Sequence, residues 1–126
     1  MTEQLTFSEL AGINRKRCQR WHPGFPADSW TGADWSNAMQ GEAGEAGNVV
    51  KKLRRAELNT RGALDPPATD LIQKLGDEIA DTVIYADLLA QFYGLDLAEC
   101  VARKFNAVSV REGFPERLSE STAVAS

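Results

Sequence analysis

Two acid pairs in this 126-residue chain share one spacing: Glu42-Ala43-Gly44-Glu45 and Glu78-Ile79-Ala80-Asp81. Residues three apart on a helix project from one face. Each pair therefore offers two oxygen donors in one direction, and two such helices side by side can bring four carboxylates to one point. Around the first pair Met39, Ala43, Ala46, Val49, Val50 and Leu53 have the periodicity of a core face, as do Leu75, Ile79, Val83 and Ile84 around the second. The acids are thus expected at the edge of a buried seam, where an uncompensated charge is costly. A divalent cation is the expected compensation. Helix-bundle di-iron sites draw histidine from Glu-x-x-His elements, and the one histidine here, His22, lies in a proline-rich segment. An all-oxygen donor set suits magnesium, manganese or calcium instead.

The elements that must position these acids read as helices. Phe7, Leu10, Ala11, Ile13, Asn14 and Arg17 form a stripe that predicts a first helix from about Thr6 to Trp21. His22-Pro23-Gly24-Phe25-Pro26 cannot continue it. A second helix is expected to start near Thr31 or Asp34, either of which can cap it, and to run through the first acid pair to about Leu58. Gly41, Gly44 and Gly47 recur along it. Each costs ~1 kcal/mol against alanine in an exposed helix, so close approach of another helix or a ligand is expected there. The segment 59–69, with Gly62, Pro66 and Pro67, reads as a connecting loop. A third helix follows from about Ala68 to Tyr93, ended by Gly94. Asp96 then caps a fourth, with apolar positions at Leu97, Val101, Phe105 and Val108. No strand pattern competes, so the fold class is all-α: four helices in one domain over 1–118 and a flexible tail over 119–126.

Composition narrows the function classes. The net charge of −4 argues against a stable nucleic-acid partner, although cations gather at Arg15, Lys16, Arg17 and Arg20 and at Lys51, Lys52, Arg54 and Arg55. Those clusters read as solvated helix faces or as groups facing a polyanion. No stretch is apolar and long enough to span a bilayer, and nothing near Met1 reads as a signal peptide. Cys18 and Cys100 form no disulfide framework, and a reduced cytoplasm is the expected setting. Trp21, Phe25, Trp30 and Trp35 surround the segment before the acid helix. Trp35 is seven residues before Glu42, two turns away on the same face, which makes it the preferred candidate to stack on a nucleobase. Apolar residues on several sides of the third helix predict self-association.

The string Gly41-Glu42-Ala43-Gly44-Glu45-Ala46, then Leu75-Gly76-Asp77-Glu78-Ile79-Ala80-Asp81, then Lys104-Phe105-Asn106 and Arg111-Glu112-Gly113-Phe114-Pro115 resembles the MazG-like nucleoside triphosphate pyrophosphohydrolases. The likeness runs from about Trp35 to Leu118 and is nearest to members related to the dCTP pyrophosphatases, which also carry glycine at the position of Gly41. Many other members have a further glutamate there, and some have asparagine at the position of Val108. The resemblance implies an all-α bundle completed by dimerisation or tetramerisation, and Mg²⁺-dependent (Mn²⁺ as a substitute) hydrolysis of (deoxy)nucleoside triphosphates to monophosphate and pyrophosphate. It implies Glu42, Glu45, Glu78 and Asp81 as metal ligands. Glu45 is the candidate base for the attacking water, and Lys104, Asn106, Arg111 and Trp35 are the candidate substrate contacts. The competing expectations are a non-catalytic helical module that responds to metal or nucleotide, and a nucleic-acid binder using Arg15 to Arg20.

Overall fold

The computed structural model describes residues 3–58 and 67–120. Within them the chain forms α1 (Phe7–Trp21), α2 (Gly32–Glu57), α3 (Ala68–Phe92) and α4 (Leu97–Glu112). No strand forms among the described residues, and none of these helices is long and apolar enough to cross a membrane. The expected connecting loop falls mostly on 59–66, and most of the expected tail on 121–126, both outside the described residues.

Local chemistry sets the helix ends. Thr6 Oγ1 accepts from the Glu9 amide at 3.0 Å to start α1. Thr31 and Asp34 together form a capping box on α2: Thr31 Oγ1 accepts from the Asp34 amide, and Asp34 Oδ2 accepts from the Thr31 amide. Asp96 caps α4 by accepting from the Glu99 amide at 3.3 Å. Gly94, with φ of +72°, follows the end of α3 in the left-handed region that favours glycine. At Gly32 a Cβ would collide with the Tyr93 hydroxyl, so a side chain there requires that exposed ring to move.

α2 and α3 pack along each other as the main contact of the fold among the described residues, while α4 packs on α1 and α3. The apolar core lies where α1 ends and α3 ends: Cys18, Phe25, Trp35 and Leu88 are buried, with Tyr85, Leu89 and Phe92 against them. A second tie is polar. Asn14 Nδ2 donates to Asp87 Oδ2 at 2.9 Å and to the Ile84 carbonyl at 3.0 Å, and Gln91 Nε2 donates to the same Asp87 oxygen at 2.9 Å. Asp87 is 1% exposed, so these two amides are what make its burial tolerable.

Three expectations about packing are corrected. Ala43, Val50, Ile79 and Val83 do not face a core but solvent, because the α2–α3 contact covers a narrower arc than their periodicity implies. On α4 the apolar Val101 and Phe105 are exposed, and the covered face is Ala102, Asn106 and Ser109. No other helix of the chain closes on Gly41, Gly44 or Gly47: among the described residues a Cβ on any of them would meet nothing within 4 Å.

Candidate metal centre

α2 and α3 each carry one acid pair, and their side-by-side packing brings the pairs together. One carboxylate oxygen each from Glu42, Glu78 and Asp81 lies within 4.8 Å of the others. Glu42 and Glu78 are half-buried and Asp81 is exposed. Glu45 stands outside this tight trio and is exposed, yet its carboxyl is close enough to hydrogen bond with that of Glu78.

Crowding of like charge is visible in the acidities. Glu78 is raised from 4.5 to about 7, first by hydrogen bonding with Glu45 and Glu42, which favours its protonated form, then by desolvation and by repulsion from the same two groups. Glu42 is also raised, first by desolvation, with repulsion from Glu45 and Asp81 adding to it and its hydrogen bond with Glu78 opposing. Oε2 of Glu78 is the sharpest sign of an incomplete site. It is shielded from solvent and, among the described residues, is the one buried side-chain polar atom without a hydrogen-bond partner. Its neighbours are carboxylates, which accept rather than donate when ionised. A cation satisfies such an oxygen and cancels the repulsion together, and the all-oxygen donors are those that hard divalent ions take. The residues present therefore fit a magnesium- or manganese-type ion.

The expected substrate contacts are dispersed. Trp35 is 2% exposed, with its ring against Phe25 at 5.6 Å, Trp30 at 4.8 Å, His22 at 5.4 Å and Tyr85 at 6.3 Å. It is a core residue, and it also forms one wall of a cavity of about 340 Å³ with Trp21, His22, Trp30, Tyr85 and Leu88 among the other lining residues. Lys104 and Arg111 are exposed on α4, where Arg111 Nε pairs with Glu112 at 3.2 Å. Asn106 is buried and committed to the chain itself. Its Nδ2 donates to the Leu118 carbonyl at 2.8 Å and to Glu120 at 3.1 Å, while its Oδ1 accepts from the Leu118 amide at 2.8 Å. The amide thus anchors the segment after α4, including the first residues of the expected tail.

Tyr85 is the cavity residue that sequence reasoning passed over. It lies four residues after Asp81, one turn along the same face. Like Trp35 with respect to Glu42, it shares a helix face with an acid, here at one turn rather than two. Comparison with known proteins finds no family model that matches the chain and no similar curated protein or solved structure.

Proposed function

We propose that the chain is a metal-dependent hydrolase of (deoxy)nucleoside triphosphates, cleaving the α–β phosphoanhydride bond to give the monophosphate and pyrophosphate, in nucleotide-pool cleaning or control. The observation that carries this reading is the convergence of Glu42, Glu78 and Asp81, together with a buried oxygen of Glu78 that has no hydrogen-bond partner. The motif order that resembles the MazG-like enzymes supplies the substrate class. Four acids would hold the ion: Glu42, Glu45, Glu78 and Asp81. When bound, Mg²⁺ supplies neutralisation of phosphate oxygens and of the charge growing on the leaving pyrophosphate, and it makes bound water more acidic.

The chain's own residues do the rest. Glu45, exposed at the rim and outside the tight trio, orients the attacking water and takes its proton. The water oxygen bonds to the α-phosphorus as the bond to the bridging oxygen breaks, and the electron pair leaves with pyrophosphate. Holding water and phosphorus in line removes much of the barrier. The base would enter the aromatic cavity, where Trp35 and its ring neighbours offer stacking faces, and Lys104 and Arg111 remain the candidate phosphate cations from α4. Two free thiols, Cys18 and Cys100, fit a reduced cytoplasm. Exposed Ile79, Val83, Val101 and Phe105 support assembly as a homodimer or homotetramer.

The test is release of pyrophosphate and monophosphate from a panel of ribo- and deoxynucleoside triphosphates with Mg²⁺. The native chain is expected to turn over at least one of them, and Glu45→Gln and Glu78→Gln to abolish turnover. Folded protein that binds metal but hydrolyses nothing on the panel would instead favour the non-catalytic helical module.

A further inference from the structure

The cations on α2 beyond the acid pair differ in what they can reach. Arg54 is occupied by Glu57, its Nη1 at 3.0 Å from Glu57 Oε2. Lys51 and Lys52 form no ion pair among the described residues. α2 is unbroken from Gly32 to Glu57, so helical geometry fixes their directions. Lys52 is seven residues after Glu45, within about 20° of the same face and about 10 Å further along the axis. Lys51 points about 100° away from Lys52.

Side-chain direction along the helix adds a second constraint. Long side chains in a helix lean toward its N-terminus, so Lys52 leaves the helix on the side of Glu45 and its four-carbon stem can extend toward the acid cluster. Lys74 on α3 lies seven residues before Asp81 and four before Glu78. By the same rule it leans away from Asp81. At a seven-residue separation Lys52 is too far along α2 to act as an ordinary helical ion pair with Glu45, which needs a spacing of three or four. It leaves the acid cluster unneutralised and can still meet an anion that begins at the acids and extends toward the loop end of α2.

We propose that Lys52 holds the leaving pyrophosphate, as a phosphate-binding residue on the same helix as Glu42 and Glu45. The proposal rests on the triphosphate hydrolase reading. A lysine is a suitable partner because its ammonium is a compact charge with three donors that can follow the phosphates as the α–β bond breaks.

The test measures binding of inorganic pyrophosphate with Mg²⁺ by calorimetry, and kcat and KM for the best triphosphate, on the full chain. Native protein is compared with Lys52→Gln, Lys51→Gln and Lys16→Gln, the last exposed on α1, which make the same charge change. Loss of a charge-assisted hydrogen bond predicts about tenfold weaker pyrophosphate binding and about a tenfold lower kcat/KM for Lys52→Gln, with Mn²⁺ affinity unchanged. The two control variants should stay within about twofold, as expected of screened surface charges. If native protein binds pyrophosphate and turns over substrate but Lys52→Gln behaves like the controls, the role of Lys52 is overturned and the hydrolase reading stands. If native protein neither binds magnesium pyrophosphate nor turns over any triphosphate, both fall.

Discussion

Two stretches of the α2–α3 pair, its aromatic end and the acid seam midway along it, are built on opposite principles, and beyond the acids Val49 and Leu71 are again fully buried. At one end Trp35 and Leu88 meet with Phe25 and Cys18 in a closed apolar cluster, and every contact there favours the folded chain. Two turns along, Glu42, Glu78 and Asp81 converge with no cation of the chain paired to them among the described residues. There the fold holds together groups that repel each other and leaves Glu78 Oε2 without a donor. The aromatic end supplies stability that the acid seam expends, and the acid seam is where a ligand has the most to contribute.

Four expected outcomes sharpen or break that contrast. The largest concerns the aromatic end: Trp35→Ala should destabilise the protein by about 3–5 kcal/mol in denaturant titration, as loss of a buried aromatic side chain does. A cost below about 1 kcal/mol would mean that the aromatic end does not anchor the fold. Next is the polar tie between α1 and α3. Asp87→Ala deprives Asn14 and Gln91 of their shared acceptor and should cost about 1–3 kcal/mol, read from the same titration.

Gly44→Ala should act in the other direction, because its helical position has open space around an added Cβ. A gain of ~1 kcal/mol is expected. If stability rises while turnover falls, the open line of glycines is where substrate or a partner chain approaches.

The smallest stability change is expected at Glu78, a half-buried carboxyl whose acid neighbours Glu45 and Asp81 are exposed to solvent. Its folded value of about 7 stands above the ordinary 4.5, so the folded chain holds this proton more tightly than the unfolded chain. The contribution favouring the fold is present below about pH 4.5, is lost as pH rises through about 7, and levels off above. Without metal, Glu78→Gln should therefore melt higher than the native protein above pH 7, with the difference shrinking as pH falls through that window. With Mn²⁺ present the order should reverse, since binding to the native fold adds stability by mass action. Scanning calorimetry across pH, with and without Mn²⁺, reads both signs.

The parts of this arrangement that depend on local chemistry were legible in the residues. Thr31 and Asp34 mark the start of α2, Asp96 that of α4, and Gly94 the end of α3, because caps and left-handed turns involve only neighbours in sequence. The acid pairs were legible for the same reason, as a three-residue spacing on a helix. Depth of burial was not. Ile79 and Val83 have core periodicity, but whether an apolar side chain is covered depends on how wide an arc its partner helix spans. Asn14 and Asp87 are 73 residues apart, and neither carries a sign of the other. Asn106 fits a phosphate contact by motif, while its structural partner is the backbone of Leu118, which only the fold brings to it.

The central claim is that the acid seam holds a divalent cation, and titration of the metal-free protein with Mn²⁺, followed by electron paramagnetic resonance, tests it most directly. Saturable binding by the native chain, weakened about tenfold or more in Glu78→Gln and in Asp81→Asn, is the expected result. Absence of saturable binding by the native chain, or affinity untouched by both substitutions, would contradict it.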